Sequence, residues 1–156
     1  MRYAVSRVLP YTPDQLFSLV GDVESYPDFV PWITSMRVWN RRDDGAGVSG
    51  VDAEAAVGFS MLKERFSSRV RRDASQRLIT VSLISGPFKH LLNRWMFLDD
   101  PSGTKVNFDI DFEFKSKLLT MMLTNNFDHA VDRLLECFED RARALYGTSG
   151  PGPTTP

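Results

Sequence analysis

The sequence predicts an α+β fold in which a curved antiparallel β-sheet of about six to seven strands surrounds one long C-terminal helix. Three observations support this prediction: strict apolar–polar alternation over residues 106–114, several more strand-like segments between residues 33 and 114, and an amphipathic pattern over residues 117–146. A run of strands followed by a helix is typical of α+β proteins. Two short helices are predicted between the first strand and the rest of the sheet.

The N-terminal elements are predicted from their end signals. Residues 2–9 form a first strand that ends at Pro10. Thr12, Pro13 and Gln15 then match a helix start, with an N-cap threonine, a proline at the first helical position and glutamine three residues after the cap. A second short helix is expected from Asp22, limited by Pro27.

The strands are predicted from alternation and turn residues. Apolar residues from Val106 to Phe114 alternate with Asn, Asp and Glu, which indicates a strand with one buried and one wet face. A similar strand is expected over residues 62–72, and others near 78–84 and 93–98. Residues 43–47, Asp-Asp-Gly-Ala-Gly, are typical of a turn. We interpret residues 86–91 as a connection between two strands.

The closing helix is predicted over residues 117–146 from apolar residues three and four positions apart between Phe127 and Leu145, and Gly147 suits its C-terminal cap. Thirty residues would span about 45 Å, which is long for a small domain. Asparagine is a mediocre helix former, so Asn125 and Asn126 are expected to mark a bend.

Length and composition indicate one domain over residues 1–147, followed by a disordered tail over 148–156 that is rich in Gly, Pro, Ser and Thr. Nineteen basic side chains against 20 acidic ones argue against a DNA-binding protein, which would carry a basic excess. No segment has the length of a membrane span, and the N-terminus lacks the pattern of a signal peptide. We therefore expect a cytoplasmic protein, with peripheral contact at the inner face of a membrane left open.

Catalytic and metal-binding patterns are weak. The chain has two histidines and one cysteine, without the HExxH or CxxC spacing of metal sites. Ser60 to Lys63 fits S-x-x-K, but a pattern with two wildcards is not specific. The basic strand residues Lys63, Arg65, Arg69, Arg71 and Arg72 could face RNA, although a solvated strand face is the favoured interpretation. We predict no catalytic residue, no metal and no redox cofactor.

Three stretches carry a family resemblance: DVESYPDFVPW at residues 22–32, GPFKHLLNRWMF at 86–97 and IDFEFKSKLL at 110–119. With the long closing helix after them, the chain over residues 1–147 resembles the coenzyme Q-binding START-like family of the polyketide cyclase and lipid-transport superfamily. One departure is Ile33, where members of the family often carry cysteine. This change keeps the position apolar.

The resemblance implies a helix-grip fold with a deep hydrophobic cavity. It implies non-catalytic binding of ubiquinone or a similar polyprenyl lipid, bound as a ligand, by a quinone chaperone that supports respiration or ubiquinone synthesis. The chain is also similar to bacterial ribosome association toxins, which leaves a protein that blocks the association of ribosomal subunits as an alternative. A small cyclase-type enzyme that uses the same cavity is a second alternative.

The candidate ligand-binding residues fall into three groups. Aromatic side chains expected to line the cavity are Phe59, Phe66, Phe88, Trp95, Phe97, Phe112, Phe114 and Phe127; core packing is the alternative for each. The two-proline loop with Tyr26, Phe29, Val30, Pro31 and Trp32 is interpreted either as a cavity mouth together with Leu118 and Met122, or as a structural plug. Lys89 and His90 are candidates for contact with a lipid head group or a quinone oxygen, with a solvated loop as the alternative, and Leu91 beside them is an apolar candidate.

Overall fold

The computed structural model describes residues 1–59, 62–124 and 126–147, so the predicted disordered tail over residues 148–156 lies outside the described residues. The seven strands are β1 (Arg2–Leu9), β2 (Ile33–Gly45), β3 (Val48–Phe59), β4 (Leu62–Asp73), β5 (Leu78–Ser85), β6 (Phe88–Asp100) and β7 (Gly103–Phe114). The α-helices are α1 (Pro13–Gly21), α2 (Lys117–Thr124) and α3 (Phe127–Tyr146), and a 3₁₀ helix covers Val23–Asp28.

The start of α1 is held by the predicted capping box. The Thr12 hydroxyl accepts a hydrogen bond from the Gln15 backbone N–H at 3.1 Å, and the Gln15 side chain accepts one from the Thr12 N–H at 2.9 Å. Two backbone donors that a helix start leaves unpaired are thereby satisfied. The helix then buries Leu16 and Leu19 against the core.

The seven strands form one antiparallel sheet in the order β1-β7-β6-β5-β4-β3-β2, which agrees with the predicted fold class. The apolar side chains of β7 face α3, whose own buried stripe includes Val131, Leu135 and Phe138. Arg7 of β1 ties the sheet to α3 through an ion pair with Asp132 at 3.1 Å. The arrangement is the helix-grip fold that the resemblance implied.

Two sequence predictions about element bounds were wrong. Residues 86–91 are not a connecting loop, because β6 begins at Phe88 and only Gly86 and Pro87 lie between the strands. The closing helix is also broken, not merely bent: α2 ends at Thr124, and Asn126 has φ −127°, outside the helical region. No helix in the described parts of the chain is long and apolar enough to cross a bilayer.

Candidate functional site

A cluster of aromatic and aliphatic side chains lies beneath α2, and we call it the α2 cluster. Its ring contacts join Phe88 to Phe114 at 4.9 Å between centroids, Phe66 to Phe88 at 5.4 Å, and Phe112 to Phe127 at 4.7 Å. The buried members are Leu91, Phe112, Phe114 and Leu119, and the half-buried aromatic members are Phe66, Phe88 and Phe127. The structure thus brings together six of the sequence-predicted ligand-binding residues, from β4, β6, β7 and α3.

The helix that covers this cluster is apolar on its outer side as well. Leu119 is buried against the cluster, but Leu118, Met121 and Met122 are 66%, 71% and 53% exposed. Exposed apolar side chains that lie next to one another commonly mark an interaction site. The predicted residues Leu118 and Met122 therefore lie on the surface of α2, above the cluster and not within it.

Trp95 and Phe97 lie in the main core, away from α2. Their side chains are 4% and 1% exposed, and Trp95 contacts Phe108 and Phe138. The space left among these core residues is about 20 Å³, which holds roughly one water molecule. This part of the interior between α3 and the sheet is filled by the protein's own side chains, so the deep cavity implied by the resemblance is closed here.

The two-proline loop acts as a plug against α3. Tyr26 and Phe29 each pack edge-on against Phe138 at 5.1 Å, and Val30 is completely buried. The Tyr26 hydroxyl donates to the Val20 carbonyl, and burial raises its pKa. Pro31 is exposed and Trp32 is half-buried.

The predicted pairing of this loop with α2 as one cavity mouth is not supported for Tyr26 and Phe29. Their contact residue Phe138 lies 11 residues beyond Phe127, or about 16 Å along α3. The aromatic rings of the loop are therefore tied to the middle of α3, while α2 covers the other end of the sheet.

Lys89 and His90, which were predicted to meet a lipid head group, lie on the outer face of the sheet and away from the α2 cluster. Lys89 forms an ion pair with Glu113 at 3.1 Å, and the His90 Nε2 lies 3.1 Å from Asp111. Both acidic residues belong to the wet face of β7, which is opposite to the face that carries Phe112. The side chain of Phe59, also predicted to line the cavity, lies outside the described residues.

The basic strand β4 is largely neutralised on its outer face. Arg65 pairs with Glu54 at 3.5 Å, Arg69 pairs with Asp52 at 3.1 Å, and a 3.8 Å contact joins Arg71 to Asp73. These pairs agree with the favoured interpretation of a solvated strand face.

Sequence reasoning missed a second feature, a partly open cavity of about 440 Å³ between α1 and the C-terminal end of α3. Arg72 and Arg141 line it. One signal was available: Arg71 and Arg72 are adjacent in an alternating strand, so one of the two must point towards the inner face.

Comparisons with known proteins place the chain among proteins with different described roles. It is 33% identical to the ribosome association toxin RatA of Rickettsia prowazekii, over 90% of this chain and 94% of that protein. It is 31% identical to the mitochondrial coenzyme Q-binding protein COQ10 homolog B of Xenopus laevis, over 94% of this chain and 60% of that protein. The solution structure of an 18 kDa protein from Caulobacter crescentus is 59% identical, with a TM-score of 0.80 and coverage of 95% and 99%.

The family model described as polyketide cyclase / dehydrase and lipid transport matches residues 9–139. This range runs from the end of β1 to the second half of α3, so it includes every residue of the α2 cluster named above. The chain belongs to the polyketide cyclase / dehydrase and lipid transport family.

Proposed function

We propose that the protein binds ubiquinone or a similar polyprenyl lipid without catalysis, with the isoprenoid tail held in the α2 cluster. The observation that carries this proposal is an aromatic cluster covered by a short helix that buries only one side chain, Leu119, among its eight residues. The name of the Xenopus laevis relative, a coenzyme Q-binding protein, supports the same class of ligand.

The ligand would enter by displacing α2. The aromatic rings of the cluster pack directly on one another, so a guest would gain space by a movement of this helix. The break at Asn126 separates α2 from α3, which lets α2 move while α3 stays packed on the sheet. Each buried CH₂ contributes about 0.8 kcal/mol, so one or two isoprene units offset the loss of the Leu119 contacts.

A non-catalytic role is supported by the positions of the reactive side chains. His90 lies on the outer face of the sheet beside Asp111, and His129 is exposed on α3. Cys137 is buried, and burial raises the pKa of its thiol, which disfavours the nucleophilic thiolate. None of these groups lies in the α2 cluster, which weakens the cyclase alternative.

Peripheral contact with a membrane would give the lipid a route into the protein. Leu118, Met121 and Met122 form an exposed apolar surface, and Lys115 and Lys117 precede them in the chain. Apolar side chains next to lysines are the combination that binds the surface of an anionic bilayer. We therefore propose that α2 is both the membrane-facing element and the cover of the lipid site.

The test is organic extraction of the purified protein from a host that makes ubiquinone, followed by mass spectrometry. The wild-type protein should carry a polyprenyl quinone, and Phe127→Ala should carry much less because it removes a wall of the cluster. Met36→Ala is the matched control, since Met36 is also half-buried but packs in the main core. Wild-type protein without any bound lipid, or equal loading of Phe127→Ala, would contradict the proposal.

A second candidate function is binding to a ribosomal subunit, which would block subunit association. The observation in its favour is the similarity to the RatA toxin of Rickettsia prowazekii along almost the full length of both chains. The ion-paired face of β4 offers little free positive charge for RNA phosphates. Co-sedimentation with isolated ribosomal subunits at low salt tests this candidate, and its absence would exclude it.

A further inference from the structure

We propose that the cavity between α1 and the end of α3 binds a small organic oxyanion, a carboxylate or a phosphate monoester, through Arg72 and Arg141. Its volume of about 440 Å³ lies within the range of small-molecule pockets. The site is separate from the proposed lipid site, because Arg141 lies 14 residues, or about 21 Å along α3, from Phe127.

Arg72 brings an incompletely satisfied cation into this cavity. Its Nη1 donates to the Gly21 carbonyl at 2.9 Å, which holds the guanidinium at the end of α1. Its Nε is buried and is one of two buried side-chain nitrogens without a hydrogen-bond partner in the described residues. Burial, together with the charges of Arg41 and Arg42, lowers the pKa of Arg72, although Asp22 and Tyr26 act in the opposite direction.

The second such nitrogen is the Nε of Arg141, which lines the same cavity from α3. The Arg141 guanidinium lies over the Phe29 ring, 5.3 Å from its centroid, and this contact orients it. Guanidinium groups bind carboxylate and phosphate oxygens with paired N–H donors. Two guanidinium groups that line one cavity are the arrangement that recognises an oxyanion.

The rest of the wall favours an anion attached to an apolar body. Phe17, Leu145 and Tyr146 supply apolar surface, while Ser18 and Ser49 supply hydroxyl groups. Asp22 is the one carboxylate among the described lining residues, so two guanidinium groups face a single negative charge. The Ser25 hydroxyl already donates to this carboxylate at 2.6 Å.

The cavity is held in shape before any ligand arrives. The Tyr146 hydroxyl donates to the Gln15 carbonyl at 3.1 Å, which joins the end of α3 to α1. Gly21 lets Arg72 lie close to α1, because a Cβ at this position would lie 2.9 Å from the Arg72 Cδ. A fixed site loses little conformational entropy on binding.

The test is a titration at low salt followed by the Nε–Hε signals of the arginines in ¹H–¹⁵N spectra. The probes are phenyl phosphate and benzoate, with phenol as the uncharged probe of the same ring. Saturable shifts of the Arg72 and Arg141 signals are expected with at least one anion, and the two anions show whether phosphate or carboxylate is preferred. Phenol should bind at least about tenfold more weakly.

Matched variants assign the binding to these side chains. Arg141→Gln should weaken anion binding about tenfold or more, while Arg143→Gln on the exposed side of α3 should not change it. Arg72→Gln should act like Arg141→Gln, with Arg71→Gln on the outer face of β4 as its control. A thermal melt reports whether Arg72→Gln stays folded. If this variant is unfolded, anion binding by Arg141→Gln alone tests the proposal.

Three results would overturn the proposal. They are the lack of saturation by either anion up to about 10 mM, phenol binding as tightly as the anions, and anion binding by Arg141→Gln equal to that of the wild type.

Discussion

Gly86 lies directly against Phe66, so closely that a Cβ built on Gly86 would come within 2.5 Å of the Phe66 Cβ. Its φ of +147° is also one that residues with a side chain rarely adopt. The glycine therefore allows the turn from β5 to β6 to pass over Phe66, which in turn reaches Phe88 in the α2 cluster. The absence of a side chain at Gly86, between β5 and β6, thus permits the packing of the Phe66 ring on β4.

We predict that Gly86→Ala loosens this corner of the α2 cluster. It should lower the free energy of unfolding by about 2 kcal/mol or more, because strain at φ adds to overpacking against Phe66. Gly45→Ala is the control: Gly45 also has a positive φ of +79° but no atom within 4 Å of its Cβ position, so it reports strain alone, about 1 kcal/mol. Urea denaturation measures the free energy of unfolding of both variants. Equal decreases in the two variants would show that the contact with Phe66 costs nothing.

Local signals predicted most of the fold because they depend on few residues. The capping box at Thr12 and Gln15 needs only four positions, and the alternation from Val106 to Phe114 specifies both a strand and its buried face. The start of β6 was missed because Gly86 and Pro87 are typical turn residues, and the turn was extended to residue 91. Pairing with β7 in fact continues the strand back to Phe88. Pairing of distant strands is not visible in local sequence.

The candidate sites were predicted less well because they depend on which face each side chain takes. Phe66, Phe88 and Phe112 were grouped correctly, since aromatic residues on inward positions of neighbouring strands meet. The face that Lys89 and His90 occupy could not be predicted, because it depends on a register shift between Phe88 and His90. Arg72 was counted with the outer basic row, although two consecutive arginines in a strand point to opposite faces.

We predict that α2 opens more often than α3. Leu119 is the buried residue of α2, whereas α3 buries five side chains, among them Val131, Leu135 and Phe138. Amide hydrogen exchange should therefore be at least about tenfold faster in α2, and binding of a polyprenyl quinone should slow it there more than in α3. Mass spectrometry of peptides from the two helices measures this difference. Equal protection of both helices without ligand would show that α2 is not a movable cover.

We predict that the exposed side of α2 binds anionic membranes. Met122→Glu should lower flotation with vesicles containing phosphatidylglycerol by about tenfold, because it places a charge in the apolar surface formed with Leu118 and Met121. Thr124→Glu adds the same charge at an exposed polar position of the same helix and is the control. Flotation that falls equally for both variants would indicate a general charge effect, and unchanged flotation of Met122→Glu would remove α2 as the docking surface.

Asp52 organises the outer faces of β2, β3 and β4. Its carboxylate accepts hydrogen bonds from Arg69 Nε at 3.1 Å, Asn40 Nδ2 at 2.9 Å and Arg42 Nη1 at 3.1 Å. The bonds from Arg69 and Asn40 are the main causes that lower the pKa of Asp52 to about 2, against a burial effect that raises it. The ionised form is therefore more stable in the folded protein than in the unfolded chain.

This depressed pKa predicts how stability changes with pH. The contribution of Asp52 is fully present above its unfolded pKa near 4 and is lost as the pH falls towards the folded value of about 2. Asp52→Asn should lower the free energy of unfolding near neutral pH by about 1–2 kcal/mol, and its stability should fall less steeply than that of the wild type between pH 4 and pH 2. Asp73 and Glu113, whose pKa values are also lowered, should leave a residual pH dependence in the variant. Asp44→Asn in the exposed turn is the control. Urea denaturation across this pH range measures the free energy of unfolding of each protein. If this free energy changes with pH in the same way for Asp52→Asn and the wild type, the assignment to Asp52 is contradicted.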